Sequence, residues 1–385
     1  MARPYTLYGW HLSYFAGKAR CYLQYKRLPF VDQEVNLPTL MWRIPRQTGV
    51  RVMPVLRTPD NAWIQDTHLI IERIEAQIPD RSVVPGTPWQ RWLAYLLEAW
   101  ADEWWMPIAM HTRWSYPENY ALFQHDAGRA LLPGFPRSIQ HKAVDHVAGY
   151  LRSMLPAVGV RPEQNAVLEA WAHAMMGLLD THFAAHSYLL GGRPTLADFG
   201  LVGTMYGHLG RDPWPKREMV DRYPHLRAWI HRMANPPDRR MGALFPDDEV
   251  PPTLEPIVRQ VLTECMPWFD GIAGEIRRVV AERPDRFGPG QPLPRKLGDQ
   301  VLTTAQGSFR RAALPFTLWL AQRTREVFAG LDPAGQQRVY AQLAERDALG
   351  LLEHDWPRLR KAGLGAALDE DPCSSGLAPW KGPAR

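Results

Sequence analysis

Cysteine is scarce in this sequence of 385 residues, which contains only Cys21, Cys265 and Cys373. The three lie far apart, without the close pairs that zinc sites and redox-active dithiols require. Disulfide-stabilised secreted domains are much richer in cysteine. The sequence therefore predicts no metal site and is typical of a protein from a reducing compartment.

Long apolar runs and blocks of one charge are also missing. There is no stretch of about 20 apolar residues that could cross a membrane, and the first residues lead into a strand pattern instead of a signal segment. The 45 basic and 40 acidic residues are interspersed, so the formal charge of +5 forms no basic run. We therefore expect a cytoplasmic protein that binds neither nucleic acid nor membranes.

The chain is long enough for more than one domain, and 45% of its residues are hydrophobic. Residues 1–80 alternate between strand and helix patterns, whereas helical periodicity dominates residues 88–240. Residues 250–370 are predicted to form a mainly helical extension, with one short hairpin near 296–311. Residues 371–385 are predicted to be disordered.

Two stretches near the start place polar side chains at predicted helix N-termini. In the first, a strand turns sharply into a helix at Ser13. In the second, a strand is entered through Pro54, and Asp66 and Thr67 lie where the next helix begins. Because helix N-termini attract anions, we predict that the two helix starts converge on one small anionic ligand.

The order and spacing of these parts resemble the N-terminal domain of the glutathione S-transferase superfamily. The matching residues are Leu7-Tyr8-Gly9, Ser13, Lys18, Arg20, Met53-Pro54-Val55-Leu56 and Asp66-Thr67. Further along, Thr195 and Asp198 match the capping element of the superfamily's helical domain. The resemblance implies an α/β thioredoxin-like N-terminal domain (1–80), then an all-α helical domain (88–240), and it implies a homodimer. It ends near residue 245, before the mainly helical C-terminal extension.

The resemblance implies that Ser13 activates glutathione, the cosubstrate. A free thiol ionises above neutral pH, and a hydroxyl donor together with a helix N-terminus stabilises its thiolate. Tyr8 is the rival hydroxyl, and plain helix capping is the alternative role for Ser13. Redox-active relatives carry cysteine at this position, so serine argues against thioltransferase chemistry.

The resemblance also implies how the rest of glutathione is bound. Met53 would exchange main-chain hydrogen bonds with the cysteinyl part, next to a cis bond at Pro54. Asp66 would meet the ammonium of the γ-glutamyl group, and Thr67 would bind its carboxylate. Arg51 is the candidate for the glycyl carboxylate. The alternative for Asp66 and Thr67 is a plain helix cap.

The second substrate is expected to lie against an aromatic wall. Trp104, Met110 and Trp114 fall where the superfamily's helical domain faces this pocket, and Trp10 and His11 depart from the small residues usual in the first loop. An apolar wall suits a small hydrophobic electrophile. His11 is either an acid–base group or a solvated loop histidine.

The resemblance therefore implies a glutathione transferase-like enzyme that directs the thiolate at a hydrophobic electrophile. Alternatives are a glutathione-dependent isomerase, ether-cleaving enzyme or dehalogenase, and a non-catalytic ligand-binding protein with the same fold. The extension is predicted to pack against both domains and to help cover the active-site cleft, because an apolar stripe between Arg311 and Arg323 requires burial. An independently folded appendage is the alternative.

Overall fold

The computed structural model describes residues 3–237 and 241–370. The tail 371–385, for which the sequence predicts disorder, lies outside the described residues. Within them, no helix combines the length and the apolar character that crossing a bilayer requires.

The N-terminal region forms a four-stranded mixed sheet with helices. In chain order its elements are β1 (Tyr5–Gly9), α1 (Tyr14–Tyr25), β2 (Phe30–Glu34), a π-helical turn (Thr39–Arg43), α2 (Ile44–Thr48), β3 (Val55–Arg57), β4 (Trp63–Gln65) and α3 (Thr67–Gln77). The strand order is β2-β1-β3-β4, with β1 parallel to β2 and antiparallel to β3. This is the predicted thioredoxin-like arrangement.

Side-chain alternation along β1 assigns each sheet face to a different apolar cluster. Tyr5 and Leu7 point to the main core, which includes residues of α1 and α3, while Tyr8 and Trp10 point to a second cluster. Period-two alternation is what a strand buried on both faces requires. The second cluster reaches the helical domain, so both sheet faces are covered.

The all-α region follows directly. Its helices are α4 (Pro88–Trp104), α5 (Met106–Ser115), α6 (Pro117–Leu131), α7 (Arg137–Ser153), α8 (Asn165–Ala185), α9 (Leu196–Thr204), α10 (Pro213–Glu218) and α11 (Pro224–Ala234). Four of them begin with proline, whose fixed φ and missing N–H suit the first position of a helix. The predicted capping box is present at the start of α9, where Asp198 accepts a hydrogen bond from the Thr195 N–H at 2.9 Å.

The extension contains more strand than the sequence indicates. Its elements are α12 (Glu255–Glu282), β5 (Asp299–Thr304), β6 (Gly307–Ala312), α13 (Pro315–Ala329), α14 (Pro333–Ala344), α15 (Gly350–Glu353), β7 (Leu359–Ala362) and β8 (Gly365–Leu368). The hairpin β5–β6 is the predicted one. The hairpin β7–β8 has no counterpart in the sequence prediction.

The extension shares one core with the two domains before it. α13 and α14 lie along α4, and α12 packs against α8. Trp104 of α4 lies between Trp268 of α12 and Phe309 of β6, with ring centroids 5.0 and 5.7 Å away. Arg323 of α13 forms ion pairs with Glu98 of α4 (3.0 Å) and Glu72 of α3 (2.6 Å). The prediction that the extension packs against both domains is confirmed.

Candidate active site

Pro54 and Asp66, two of the residues that the resemblance assigns to the glutathione site, lie side by side at one edge of the sheet. Tyr8 pairs with Val55, and Val55 pairs with Gln65. When the two antiparallel registers are continued by one residue, Gly9 lies beside Pro54, and Pro54 lies beside Asp66. The two helices that begin at this edge are α1 and α3, so two helix N-termini face the same side, as predicted.

Glycine at position 9 permits this close approach. A Cβ on Gly9 would lie 2.7 Å from Cβ of Ala16 and 4.0 Å from Cβ of Pro54. The first distance is shorter than a van der Waals contact, so a larger residue would push α1 away from β1. Gly9 thus keeps the start of α1 next to the loop at Pro54.

Ser13 is the N-cap of α1, and its side chain is half-buried. Its Oγ accepts a hydrogen bond from the Ala16 N–H at 3.4 Å. A hydroxyl that accepts this bond still has its own proton to donate. Capping and donation to a sulfur atom are therefore compatible roles for this one side chain.

Arg113 of α5 fixes the loop before Ser13, a contact for which the sequence gives no signal. Its Nη1 donates to the Leu12 carbonyl at 2.6 Å, and its Nη2 donates to the Gly207 carbonyl at 3.1 Å. Asp212 neutralises the buried guanidinium through two contacts of 2.8 Å. The helical domain thereby positions the start of α1.

Tyr8, the rival hydroxyl, has a buried ring in the second apolar cluster. Trp63 stacks on it with ring centroids 5.1 Å apart, and the Arg43 guanidinium lies 5.3 Å from its centroid. Its ring therefore faces β4 and the segment that leads into α2. Ser13, by contrast, lies on the loop that leads into α1.

The Met53–Pro54 peptide bond is cis, as predicted. Met53 is half-buried, and its side chain packs against the second apolar cluster. Arg51 is exposed in the segment just before it. Both therefore lie in the chain segment that leads to the sheet edge.

Asp66 and Thr67 form the start of α3. Asp66 is buried and has φ of 91°, a conformation that costs free energy in a residue with a Cβ. Its Oδ1 accepts hydrogen bonds from the His68 backbone N–H (3.0 Å) and from His68 Nδ1 (2.7 Å). Thr67 is the first residue of the helix and is also buried. Capping by Asp66 is thus confirmed, and it leaves Oδ2 available to another partner.

A buried ion network lies beneath this helix start. The Lys18 ammonium is 2.8 Å from Glu98 Oε1 and 2.5 Å from Asp102 Oδ2, and all three side chains are fully buried. His68 Nε2 lies 2.8 Å from Asp102 Oδ2. Because buried charges are tolerated only when paired, these four residues depend on one another. The sequence motif identified Lys18, but its partners lie in a different domain.

The network shifts the pKa values of its members. Burial and Lys18 would lower the pKa of His68, but Glu98, Asp66 and Asp102 raise it to about 9. Burial alone would raise the pKa of Asp66, but His68 and Lys361 lower it to about 2. At neutral pH the His68 imidazolium and the Asp66 carboxylate are therefore both charged.

His68, Glu98 and Asp102 offer ligand atoms within 4.8 Å of one another, which is a donor set that metal ions use. The Lys18 ammonium, however, contacts both carboxylates. A lysine cation and an imidazolium thus already neutralise this cluster. Its chemistry is that of an ion network that supports the start of α3.

The hairpin β7–β8 of the extension reaches the same sheet edge. Lys361 Nζ donates to Gln65 Oε1 at 2.9 Å and lies 3.7 Å from Asp66 Oδ2. At the turn, a Cβ on Gly363 would lie 3.8 Å from Val50, in the loop before Arg51. The extension therefore covers the site at the start of α3. No local pattern could reveal Lys361, which lies 296 positions from Gln65.

Trp10 and Trp104 are both buried, with exposed fractions of 6% and 1%. Trp10 is buried, and its Nε1 donates to the Val35 carbonyl at 2.7 Å, so it anchors the end of β1. Trp104 is 1% exposed and packs on the extension. Burial by the extension, which the aromatic pattern of α4 does not indicate, removes Trp104 from the cleft.

Trp114, Met110 and His11 retain some exposure. Trp114 is half-buried and packs on Phe123 with ring centroids 4.9 Å apart, in the cluster that also includes Met53. Met110 is half-buried one turn earlier on α5. The structure thus brings Met53 and Trp114, but not Trp104, into one apolar cluster.

His11 lies in a cleft of about 210 Å³ beside the first loop. The cleft is lined by Trp10, His11, Leu12, Glu34, Asp126, Arg129, Ala130 and Arg211. His11 Nε2 is 3.6 Å from Asp32, and burial and the nearby Arg20 lower its pKa below the ordinary value. The sequence analysis expected an apolar wall beside Trp10 and His11, whereas this cleft is lined by several charged residues.

Comparison with known proteins identifies the two domains. Residues 7–82 match the glutathione S-transferase N-terminal domain, and residues 148–237 match the glutathione S-transferase C-terminal domain. A search of curated proteins finds no match.

Several solved structures are similar at low identity. They include a glutathione S-transferase from Rhodospirillum rubrum (19% identity, covering 68% of this chain and 92% of that chain, TM-score 0.40). A glutathione S-transferase from Methylobacterium radiotolerans, in complex with glutathione sulfonate, is 20% identical (60% and 91% covered, TM-score 0.40). The β-etherase LigF from Sphingobium sp. is 16% identical (66% and 98% covered, TM-score 0.44). Residues 7–82 and 148–237 thus carry the two domains of the glutathione S-transferase superfamily, in the family's order.

Proposed function

We propose that this protein is a glutathione transferase-like enzyme that activates the thiol of glutathione at Ser13. The observation that carries the proposal is that the starts of α1 and α3 lie with Pro54 at one sheet edge. Two helix N-termini and main-chain groups there offer complementary partners to an anionic, extended peptide. The match to the superfamily's N-terminal domain supports glutathione as that peptide.

The chemistry requires a thiolate at neutral pH. The Ser13 hydroxyl, whose oxygen accepts from the Ala16 N–H, would donate its proton in a hydrogen bond to the sulfur. The N-terminus of α1 adds a favourable dipole. The thiolate then attacks the electrophilic atom of the second substrate, forming a sulfur–carbon bond as the leaving group departs with its electron pair.

The remaining parts of glutathione would lie along the same edge. We assign the cysteinyl main chain to the backbone of Met53, the γ-glutamyl ammonium to Asp66 and its carboxylate to Thr67. Asp66 Oδ1 is used by the helix cap, so Oδ2 would take the ammonium. Arg51 is exposed in the preceding loop and would attract the glycyl carboxylate.

The second substrate would be a small hydrophobic electrophile. Met53 and Trp114 are half-buried members of one apolar cluster, and Met110 lies one turn before Trp114 on α5. Aromatic and thioether groups of this kind favour apolar ligands. Trp10 and His11 would border this region at the first loop.

Titration of the pure protein with glutathione tests the proposal. Binding accompanied by thiolate absorbance in the ultraviolet below neutral pH is the expected result. Binding without thiolate would favour a non-catalytic ligand-binding protein, and absence of binding would overturn the proposal. Assays with aryl halide, ether and isomerisable substrates then separate transferase, ether-cleaving, dehalogenase and isomerase activity.

The homodimer is also a proposal. The extension covers α4 within the chain, so a second copy would have to contact another face. Phe135, Ile139 and Tyr150 are exposed apolar residues in and beside α7. We propose that this face forms the dimer contact. Light scattering, which measures the mass in solution, tests this. The unmodified protein should have the mass of a dimer, and Ile139→Glu should have the mass of a monomer.

A further inference from the structure

The hairpin β7–β8 adds a cation to the site that the two superfamily domains do not supply. The Lys361 ammonium has three donors. One is used by Gln65 Oε1 at 2.9 Å and one by the Gly363 carbonyl at 3.1 Å. Asp66 Oδ2 lies 3.7 Å away, beyond hydrogen-bond distance. Lys361 therefore retains one donor for a further acceptor.

Lys361 and Asp66 together form a bipolar pair. Asp66 Oδ2 can accept from a ligand ammonium, because the His68 contacts use Oδ1. Beside it, Lys361 can donate to a carboxylate oxygen. The pair therefore suits a ligand in which one carbon atom carries both an ammonium, for the Asp66 acceptor, and a carboxylate, for the Lys361 donor.

The charges around the site favour such a zwitterion. The cations in contact with the network are Lys18, His68, Arg323 and Lys361, and the anions are Asp66, Glu72, Glu98 and Asp102. The two sets balance. Without Lys361 one negative charge would be in excess, and a ligand carboxylate would be repelled.

The hairpin is also held in place by contacts that do not involve Lys361. The Leu359 N–H donates to Gln322 Oε1 at 2.8 Å, and Gln322 Nε2 donates to the Leu359 carbonyl at 3.0 Å. Arg360 points to the other side, where it donates to the Gly290 carbonyl at 2.8 Å. The ammonium of Lys361 is thus a charge added to a hairpin that is anchored by other residues.

We propose that Lys361 is a substrate-binding residue that takes one oxygen of the α-carboxylate of the γ-glutamyl group of glutathione, alongside Thr67, while Asp66 takes the ammonium. The inference rests on the proposed glutathione site and adds a specificity residue to it. The C-terminal extension thereby completes the site, and ligands without the α-carboxylate bind weakly.

Calorimetric titration of the full-length protein with glutathione tests the proposal. Lys361→Met should weaken binding about 10- to 100-fold, the range for loss of a hydrogen bond between charged groups. Lys361→Arg should restore most of it. Arg360→Met is the matched control, since it removes the same charge from the same strand, and it should change the affinity less than about twofold.

Two glutathione analogues locate the effect. Glutaryl-cysteinylglycine lacks only the ammonium, and Lys361→Met should weaken the binding of this analogue as much as it weakens the binding of glutathione. 4-Aminobutyryl-cysteinylglycine lacks only the α-carboxylate, and its affinity should be the same for Lys361→Met as for the unmodified protein. Because this comparison is made within one variant, a general loss of folding cannot imitate the expected pattern.

The opposite outcomes are distinct. Tighter glutathione binding by Lys361→Met would mean that Lys361 occupies the place of the ligand ammonium, and equal binding would mean that it does not touch the ligand. Either result overturns this inference while the proposed function stands. Failure of the unmodified protein to bind glutathione would overturn both.

Discussion

The Ser13 hydroxyl caps α1 by accepting a hydrogen bond, and it can still donate its own proton. For Ser13→Ala we expect activity with a hydrophobic electrophile to fall about 100-fold, as when one donor to a developing anion is removed. Glutathione affinity should change only a few-fold, because Asp66, Thr67 and the Met53 backbone hold the rest of the tripeptide. Steady-state kinetics and titration measure the two effects separately.

Tyr8→Phe is the control for this prediction. The ring of Tyr8 stacks on Trp63 and lies beside Arg43, so the substitution keeps the packing and removes only the hydroxyl. We expect nearly full activity. Full activity of Ser13→Ala together with an inactive Tyr8→Phe would assign thiolate stabilisation to the tyrosine instead.

The buried imidazolium of His68 makes stability depend on pH. Its pKa rises from 6.5 to about 9 on folding, because Glu98, Asp66 and Asp102 outweigh burial and Lys18. A raised pKa stabilises the fold fully below pH 6.5, and this stabilisation disappears as the pH rises through 9. The expected loss of unfolding free energy is about 3 kcal/mol, measurable by urea unfolding across this range.

Substitution of the histidine isolates this contribution. His68→Asn should be less stable at pH 6.5, and its stability should fall much less between pH 6.5 and 9. His146→Asn, on the exposed side of α7, should keep the full pH dependence. A steep profile that persists in His68→Asn would assign the titration to another group.

The sequence could predict those site residues whose position depends only on the residues next to them in the chain. Ser13 precedes a helix, Pro54 precedes a strand, and Asp66 opens the next helix, so each is defined by a local pattern. Lys361 and His68 could not be predicted as parts of this site. Their roles depend on charges brought together by tertiary contacts, of which sequence spacing carries no trace.

The capping box at the start of α9 is a structural element with no contact to the candidate site. Thr195→Ala should lower the free energy of unfolding by about 0.5–2 kcal/mol. Asp198→Ala should cost more, about 3 kcal/mol, because Asp198 also accepts from the Leu189 N–H (3.0 Å) and from Trp229 Nε1 (3.1 Å). Thermal unfolding checks the order of the two variants.

Activity provides the second measurement for this element. Both variants should retain the glutathione affinity of the unmodified protein at temperatures where they are folded. Unchanged melting temperatures in both would contradict a capping role, and a selective loss of activity would point to a role in the site.

Among the elements, helices with clear ends were the easiest to predict. α13 and α14 begin at Pro315 and Pro333, and proline is a residue that favours the first position of a helix. The hairpin β7–β8 was missed because each of its strands has only four residues. Strands of this length leave little periodicity to recognise, even where the two strands pair across a local turn.

On the scale of the molecule, the aromatic residues of α4 explain why the extension is needed. The sequence assigned Trp104 to a substrate pocket, which is reasonable for an apolar residue on that helix. The structure instead buries Trp104 against Trp268 and Phe309. A core shared between distant parts of the chain cannot be inferred from one helix, because the pattern shows that a face is apolar but not what covers it.

Truncation of the chain before Pro251 tests this dependence. The shortened protein would expose the face of α4 around Trp104 and would leave the buried Glu98 without its Arg323 partner. We expect it to aggregate or to melt at a clearly lower temperature. The milder variant Trp268→Ala in the full chain should cost about 3–5 kcal/mol, as measured by urea unfolding.

A fragment ending before Pro251 that stays soluble, melts like the full chain and binds glutathione equally well would contradict two expectations at once. The first is that α4 requires α12 and α13 to cover it. The second is that Lys361 contributes to the site. A soluble fragment with weakened glutathione binding would separate them, because the extension would then act on the ligand and not on folding. Supplying residues 251–385 as a second chain should restore binding if the shared core can form between separate chains.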